Sequence, residues 1–270
     1  MVQVIAHRGA RSIAPENTLK AARIACETGA DLWETDVSVT RDGHLILFHD
    51  ATLLRCTDAK KKFPFKTSYR VDTFDLTEIK ALDAGSCFIE TDPFQEISKG
   101  NVGREIRDSF IGEPIPLLEE GLRLTLEKNW KINLELKFFK GAVRESYIPD
   151  QTLEIIRQSK IPLNQVVISS FHHAWLLQIM EKEPLLEVQA LIGDADTAPL
   201  DFKDFFFPAY NANASLIHPD QIKALKDRGK RINLFTVNDP KAFSQFVSLG
   251  VDGIFTDFPQ KFAKKIPKKS

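Results

Sequence analysis

Short apolar or β-branched runs alternate with longer amphipathic stretches about eight times along this chain, and no other feature restricts its fold as much. The spacing predicts strands over Val2 to Ala6, Leu32 to Val37, Lys131 to Leu136, Val166 to Ser170, Leu186 to Ile192, Ala209 to Asn213, Arg231 to Val237 and Gly253 to Thr256. Helices are expected over Asn17 to Thr28, Leu117 to Lys128, His172 to Lys182, Pro199 to Phe206, Pro219 to Arg228 and Pro240 to Leu249, with a short one at the end. Asn17 reads as the N-cap of the first helix, its side-chain oxygen accepting an unpaired backbone N–H. Gly229 reads as a C′ residue. Parallel strands joined by helices need right-handed crossovers. Eight such units in about 250 residues suit a closed TIM (β/α)8 barrel of the α/β class. No Gly-x-Gly-x-x-Gly follows the first strand, which argues against an open dinucleotide-binding sheet.

The rhythm breaks once. An extra strand is expected over His44 to Phe48 after the turn Arg41-Asp42-Gly43. From there, residues 51 to about 112 are too long for a plain loop and read as a small insertion over the barrel mouth. The insertion has a short helix near Leu76 to Leu82 and a Lys60-Lys61-Lys62 run on a solvated face. The whole chain, 1–270, is otherwise one barrel domain.

Composition narrows the partners. The chain is 43% hydrophobic and 27% charged, with a formal net charge of -1 that offers nucleic acid no strongly basic face. No apolar run approaches the roughly 18 residues that span a bilayer. The opening Met-Val-Gln-Val-Ile-Ala-His lacks the pattern of a secretory leader. A cytoplasmic location and no stable membrane association are therefore expected, and the Lys264-Lys265 and Lys268-Lys269 pairs read as a solvated tail. Nothing in the sequence specifies an oligomeric state. Cys26, Cys56 and Cys87 form neither a CxxC pair nor a zinc pattern, so they are read as reduced structural thiols.

Against this ordinary background, one set of polar residues stands out. His7-Arg8-Gly9 ends the first strand, Glu34 and Asp36 lie in the second, His49-Asp50 follows the extra strand, and Glu135 and Lys137 sit in the strand before residue 138. Side chains two apart on a strand point the same way, so Glu34 shares a face with Asp36, and Glu135 with Lys137. Acids facing a barrel interior need a compensating charge. Pairing with Arg or Lys could supply it, but three hard oxygen donors fit Mg²⁺ or Ca²⁺, with Mn²⁺ also suitable. His7 and His49 are candidates for general acid and base, because an unperturbed imidazole titrates at about pH 6.5. Arg8 offers a fork that matches phosphate oxygens, and Lys137 a point charge beside it. Such parts suit metal-assisted cleavage of a phosphodiester. His172 and His173 either line the site or cap a helix, and Asn238 and Asp257 read as loop-ordering or capping groups.

The run AHRGARSIAPENTLKAARIACETGADLWETDVSVTRDGHLILFHD resembles the opening of the glycerophosphodiester phosphodiesterase family. DLTEIKALDAGS, PLLEEGL, INLELK, VVISSF, TVND and GVDGIFTDFP extend the resemblance in order along nearly the whole chain. It implies a TIM barrel that hydrolyses a small-molecule glycerophosphodiester to glycerol 3-phosphate and an alcohol, using one divalent cation. By matching position it implies His7 and His49 as the acid–base pair and Glu34, Asp36 and Glu135 as metal ligands. Arg8 and Lys137 would bind phosphate, and Glu16 of the PENT element would be a polar neighbour. The chain departs from the family pattern at Leu117, where a Thr is common, at Phe235, where a Trp is common, and in the longer, more charged segment 88–112. None of these is among the seven residues just assigned.

Two other readings remain. A related barrel could act on lysophospholipids in a membrane, using Phe63-Pro64-Phe65 and Phe205-Phe206-Phe207 as an apolar rim, although such runs are more often core. A catalytically dead barrel used for binding would be expected to lack a histidine or an acid from the set, and none is missing.

Overall fold

The computed structural model describes residues 2–142, 144–194 and 199–263. The two C-terminal lysine pairs lie outside them. The strands are β1 (Gln3–Ala6), β2 (Leu32–Val39), β3 (Leu45–Leu47), β4 (Ile132–Leu136), β5 (Val166–Ser170), β6 (Glu187–Ile192), β7 (Ala209–Asn213), β8 (Arg231–Phe235) and β9 (Gly253–Thr256). Eight of them pair in parallel and close into a ring where β1 meets both β2 and β9. β3 lies outside the ring, antiparallel on β2, with Val37 opposite Leu47 and Val39 opposite Leu45. This is the expected (β/α)8 barrel with its extra strand.

Alternation along β2 shows how sequence becomes architecture. Trp33 points outward into the helical layer, where its indole N–H donates to Thr125 Oγ1 at 3.0 Å and its ring stacks on Trp130. Thr125 belongs to the helix Leu118–Glu127, whose buried face is Leu118, Gly121, Leu122, Leu124 and Thr125. Because Trp33 is anchored outward, Glu34 and Asp36 are committed inward. The barrel interior below them is filled by Ile5, Leu32 and Phe255, and by a polar layer in which Asn233 donates to Asn211 and Gln189.

Residues 51–112 are not a bare loop. They contain short helices at Ala59–Lys62, Leu76–Lys80, Ser86–Thr91 and Arg104–Asp108. Leu53, Val71, Phe74, Ile79 and Leu82 bury against Ile46 and Phe48, and Phe88, Val102 and Phe110 bury against Ala14 and Ala21. The Lys60 to Lys62 run is exposed as expected, and the three cysteines form no disulfide. The Phe-rich runs divide between core and surface. Phe207 is buried and Phe63 packs on the insertion core, whereas Phe65 and Phe206 are exposed. No helix among the described residues is long and apolar enough to cross a membrane.

Two expectations need correcting. Residues 199–206 form turns, not a helix. Asp201 Oδ1 accepts the Lys203 N–H and Asp204 Oδ1 accepts the Phe206 N–H, so side chains take the backbone donors that a helix would use. Lys203 and Phe205 adopt left-handed φ of 50° and 56°, and Phe202 stacks on Phe205 and packs edge-on against Tyr210 to cover the barrel there. The second correction concerns Asn17, which does not cap the first helix. Thr18 does, its Oγ1 accepting from Ala21 N at 3.1 Å, and the helix runs Leu19–Glu27.

Replacing Thr125 with Val keeps the side-chain shape but strands the buried Trp33 N–H. Urea melts are expected to show a loss of about 1–3 kcal/mol, with kcat unchanged because the altered group faces away from the barrel interior.

Candidate active site

The β2–β4 register sets Asp36 directly beside Glu135, and Glu34 lies one inward position earlier on β2. One oxygen from each of Glu34, Asp36 and Glu135 falls within 4.8 Å of the other two. Asp36 and Glu34 are buried, at 0% and 2% exposure. Burial and the neighbouring Asp36 and Glu135 push the Glu34 carboxyl well above the usual carboxylate range. Asp36 goes the other way: burial opposes its charge, but Arg8 and Lys137 hold it well below that range. Arg8 Nε lies 3.2 Å from Asp36 Oδ2, and Lys137 Nζ lies 2.6 Å from Glu135 Oε1 and 3.5 Å from Asp36 Oδ1. The pairing of these acids with basic side chains is therefore partly realised, by the two cations of the site itself. It does not satisfy the cluster. Glu34 Oε2 accepts the Arg8 backbone N–H at 2.8 Å, but buried Oε1 has no donor among the described residues. A shared cation fits this donor set of three carboxylate oxygens.

Asn17 explains its absence from the helix cap here. At φ 58° it sits in the left-handed region that Asn tolerates. Its Nδ2 donates to Asp36 Oδ2 at 2.9 Å, while its Oδ1 accepts from Thr35 Oγ1 at 2.7 Å and from Asp36 N at 3.1 Å. The turn bearing Asn17 is in turn tied to Arg8, whose carbonyl accepts the Asn17 N–H at 3.1 Å. Arg8 and Gly9 have φ of 53° and 82°, and a Cβ at Gly9 would lie 2.7 Å from the Ala21 backbone. That close approach reserves the position for glycine.

Each candidate histidine is held at Nδ1 by a carboxylate. His7 lies 2.7 Å from Asp257 Oδ1, and His49 lies 2.6 Å from Asp50 Oδ1. Burial opposes both aspartate charges, yet hydrogen bonds lower both carboxyls: Asp257 to about 2 through His7, and Asp50 well below its usual range through His49 and Arg55. Ionised acceptors leave the Nδ1 proton on each imidazole and free Nε2 for exchange. Burial, then the charge of Arg8, pushes His7 below its ordinary value, with Asp257 opposing. Asn238 orders the Asp257 loop, its Nδ2 donating to Asp257 Oδ2 at 2.7 Å and its Oδ1 accepting Asp257 N at 2.9 Å. The loop-ordering reading thus holds for Asn238. Asp257, by contrast, touches a candidate catalytic group.

The seven proposed residues come together. His7, Arg8, Glu34, His49, Glu135 and Lys137 line one inner cavity of about 160 Å³, with Asp36 buried beside Glu135. This opens into an outer cavity of about 560 Å³ that shares His49, Glu135, Lys137 and Phe171 and adds Phe138 and His172. Of the two later histidines, His172 stacks on Phe138 at 4.2 Å in that wall, while His173 Nε2 lies 2.9 Å from the Leu191 carbonyl and supports the fold. Glu16 is a neighbour of the site, accepting from Arg8, Arg11 and Arg55. Sequence reasoning missed Asn17, Arg11 and Arg55 as parts of this network. Asn17 is the third residue of the quoted PENT element and Arg11 lies four positions before its proline, but nothing in the sequence signals Arg55.

The fold and the site together define a (β/α)8 barrel with a cluster of three acidic side chains that could hold a cation. Residues 7–261 match the model of the glycerophosphoryl diester phosphodiesterase family. A glycerophosphodiester phosphodiesterase from Caldanaerobacter subterraneus subsp. tengcongensis is 32% identical over 267 residues, 98% of each chain. One from Bacillus altitudinis is 31% identical over 268 residues, again 98% of each. Among solved structures, a phosphodiesterase of Oleispira antarctica in complex with the product sn-glycerol-3-phosphate superposes with a TM-score of 0.77 at 27% identity, covering 98% of this chain and 97% of that one. The chain belongs to the glycerophosphoryl diester phosphodiesterase family, and is accordingly a phosphoric diester hydrolase.

Because the Asp257 carboxyl titrates at about 2 in the fold against 3.8 free, its stabilising contribution is present above about pH 4 and lost as pH falls toward 2. Asp257→Asn is expected to cost about 2 kcal/mol at pH 7, and urea melts at descending pH should show the gap to wild type closing below pH 4.

Proposed function

We propose that the chain hydrolyses glycerophosphodiesters to glycerol 3-phosphate and an alcohol, with Mg²⁺ or Ca²⁺, or else Mn²⁺, held by Glu34, Asp36 and Glu135. The observation that carries this reading is the inner cavity: two imidazoles, each fixed through Nδ1 by its own carboxylate, share a wall with the acidic cluster. Family membership and the product complex of the Oleispira antarctica relative support the same substrate class.

Charge balance supports a bound cation. With Glu34, Asp36 and Glu135 all ionised, the carboxylates outnumber Arg8 and Lys137 by one, a negative charge that would repel a phosphodiester monoanion. A divalent cation reverses the sign, and it would supply Lewis-acid polarisation of the phosphoryl oxygens. Arg8, relieved of part of its pairing with Asp36, presents its planar fork to two phosphate oxygens. Lys137 places a point charge on the same group. His7 and His49 then divide the proton transfers. One removes the proton from the attacking oxygen, either water or the glycerol 2-hydroxyl whose cyclic phosphate water then opens, and the other delivers a proton to the departing alkoxide through Nε2. The aspartate behind each ring stabilises the imidazolium that forms when that ring takes up a proton.

Three measurements check this proposal. On glycerophosphocholine, His7→Ala and His49→Ala are each expected to lower kcat by about 10²–10⁴-fold, and near-full activity in either variant rules out its assigned role. EDTA treatment should abolish turnover, and separate additions of Mg²⁺, Ca²⁺ and Mn²⁺ should restore it. Glu34→Gln and Glu135→Gln should weaken metal affinity, measured by calorimetry, by about 10–100-fold or more.

A further inference from the structure

The groups that hold the two histidines belong to one unbroken chain of charge. It starts at His7 and Asp257 and passes to Arg11, whose Nη1 lies 3.3 Å from Asp257 Oδ1 and whose Nε donates to Glu16 Oε2 at 2.8 Å. Arg55 then grips two carboxylates at once. It donates to Glu16 Oε1 and Oε2 at 2.7 and 3.0 Å, and to Asp50 Oδ2 and Oδ1 at 2.6 and 2.9 Å. Asp50 completes the path to His49, and Arg8 joins it at Glu16 with a 3.0 Å contact. Seven side chains thus run from one imidazole to the other, and Arg55 is the only one supplied by the insertion.

We propose that Arg55 is a positioning residue for the phosphodiesterase reaction, fixing the Asp50 carboxylate against His49 and the Glu16 carboxylate against Arg8. The proposal rests on the acid–base reading of His49 given above. Arg55 lines neither cavity of the reactive centre and opens instead onto a separate cavity of about 210 Å³ walled by Cys56, Cys87, Phe88 and Phe94. It therefore acts through other residues and not on the substrate.

The geometry explains why a positioning group is needed. Asp50 is the residue next to His49, and a bond between adjacent side chains on a loop leaves both free to swing together. A planar guanidinium bonded to both oxygens of that carboxylate fixes its plane, a constraint that lysine, with one nitrogen, does not impose. The second pair of N–H groups ties the same plane to Glu16. Burial opposes the charge on Glu16, but Arg55, Arg8 and Arg11 hold it ionised, so it serves as a fixed anchor. Arg55 itself is 45% exposed, where an ion pair adds little to fold stability. Its removal should thus alter the site far more than the fold.

Arg55→Ala is expected to lower kcat at least about tenfold while KM moves less than about twofold, the pattern of an interaction realised in the transition state. The thermal midpoint should stay near that of wild type. Because the position is open to solvent, guanidinium chloride at millimolar levels should restore part of kcat to Arg55→Ala and none to wild type. Arg55→Lys should fall between the two. A wild-type kcat in Arg55→Ala, a loss confined to KM, or a loss that guanidinium leaves unrecovered overturns the proposal. If Arg55→Ala does not fold, Arg55→Lys carries the test, and a wild-type kcat there overturns it as well. Active His7→Ala and His49→Ala enzymes would sink the acid–base reading itself; inactive ones beside a fully active Arg55→Ala sink only the role of Arg55.

Discussion

Three carboxylates held within 4.8 Å of one another repel strongly, and much of the structure around them offsets that repulsion. They are brought together by backbone register, since β2 and β4 hydrogen-bond with Asp36 beside Glu135. A slip of one residue would turn each acid out of the barrel. Trp33 and the hydrogen bond from its indole to Thr125 oppose that slip from the outer face. On the inner face, Arg8, Lys137 and Asn17 carry the compensation, and a divalent cation completes it in the function proposed.

The barrel provides rigid strands, and the loops at their C-terminal ends provide orientation. β1 leads into the left-handed Arg8-Gly9 turn, which aims the Arg8 amide at Glu34. β9 leads to Asp257 and places it behind His7, while β3 delivers His49 beside Asp50. Each candidate group thus has a second residue behind it, and those second residues come from segments far apart in the chain. The insertion adds to this arrangement by extending a single guanidinium into it. Its buried apolar side chains pack among themselves or against the first helix and the extra strand.

Much of this was legible in the residues themselves. Short apolar or β-branched runs located the strands to within a residue or two, because burial on both faces of a parallel sheet leaves a strong apolar signature. Glu34 and Asp36, and Glu135 and Lys137, could be assigned to shared faces from parity alone. Local chemistry misled where two options competed for the same side chain. Asn17 has the properties of a helix cap, but Thr18 beside it caps equally well, and the buried Asp36 carboxylate draws Asn17 away. Apolar spacing in residues 199–206 suggested a helix, but Asp201 and Asp204 bonded the backbone first.

The amino-acid sequence by itself determined the alternating elements, the closed barrel they imply and the seven polar residues at its mouth, because periodicity and residue type are properties of neighbours along the chain. Only the tertiary structure decided which carboxylate stands behind which histidine, and that Arg55 joins Glu16 to Asp50. His7 and Asp257 are 250 positions apart and Glu16 and Arg55 are 39, so no local pattern encodes either pairing. Closing the ring of strands brings β1 beside β9, and folding of the insertion brings Arg55 onto the loop after β1.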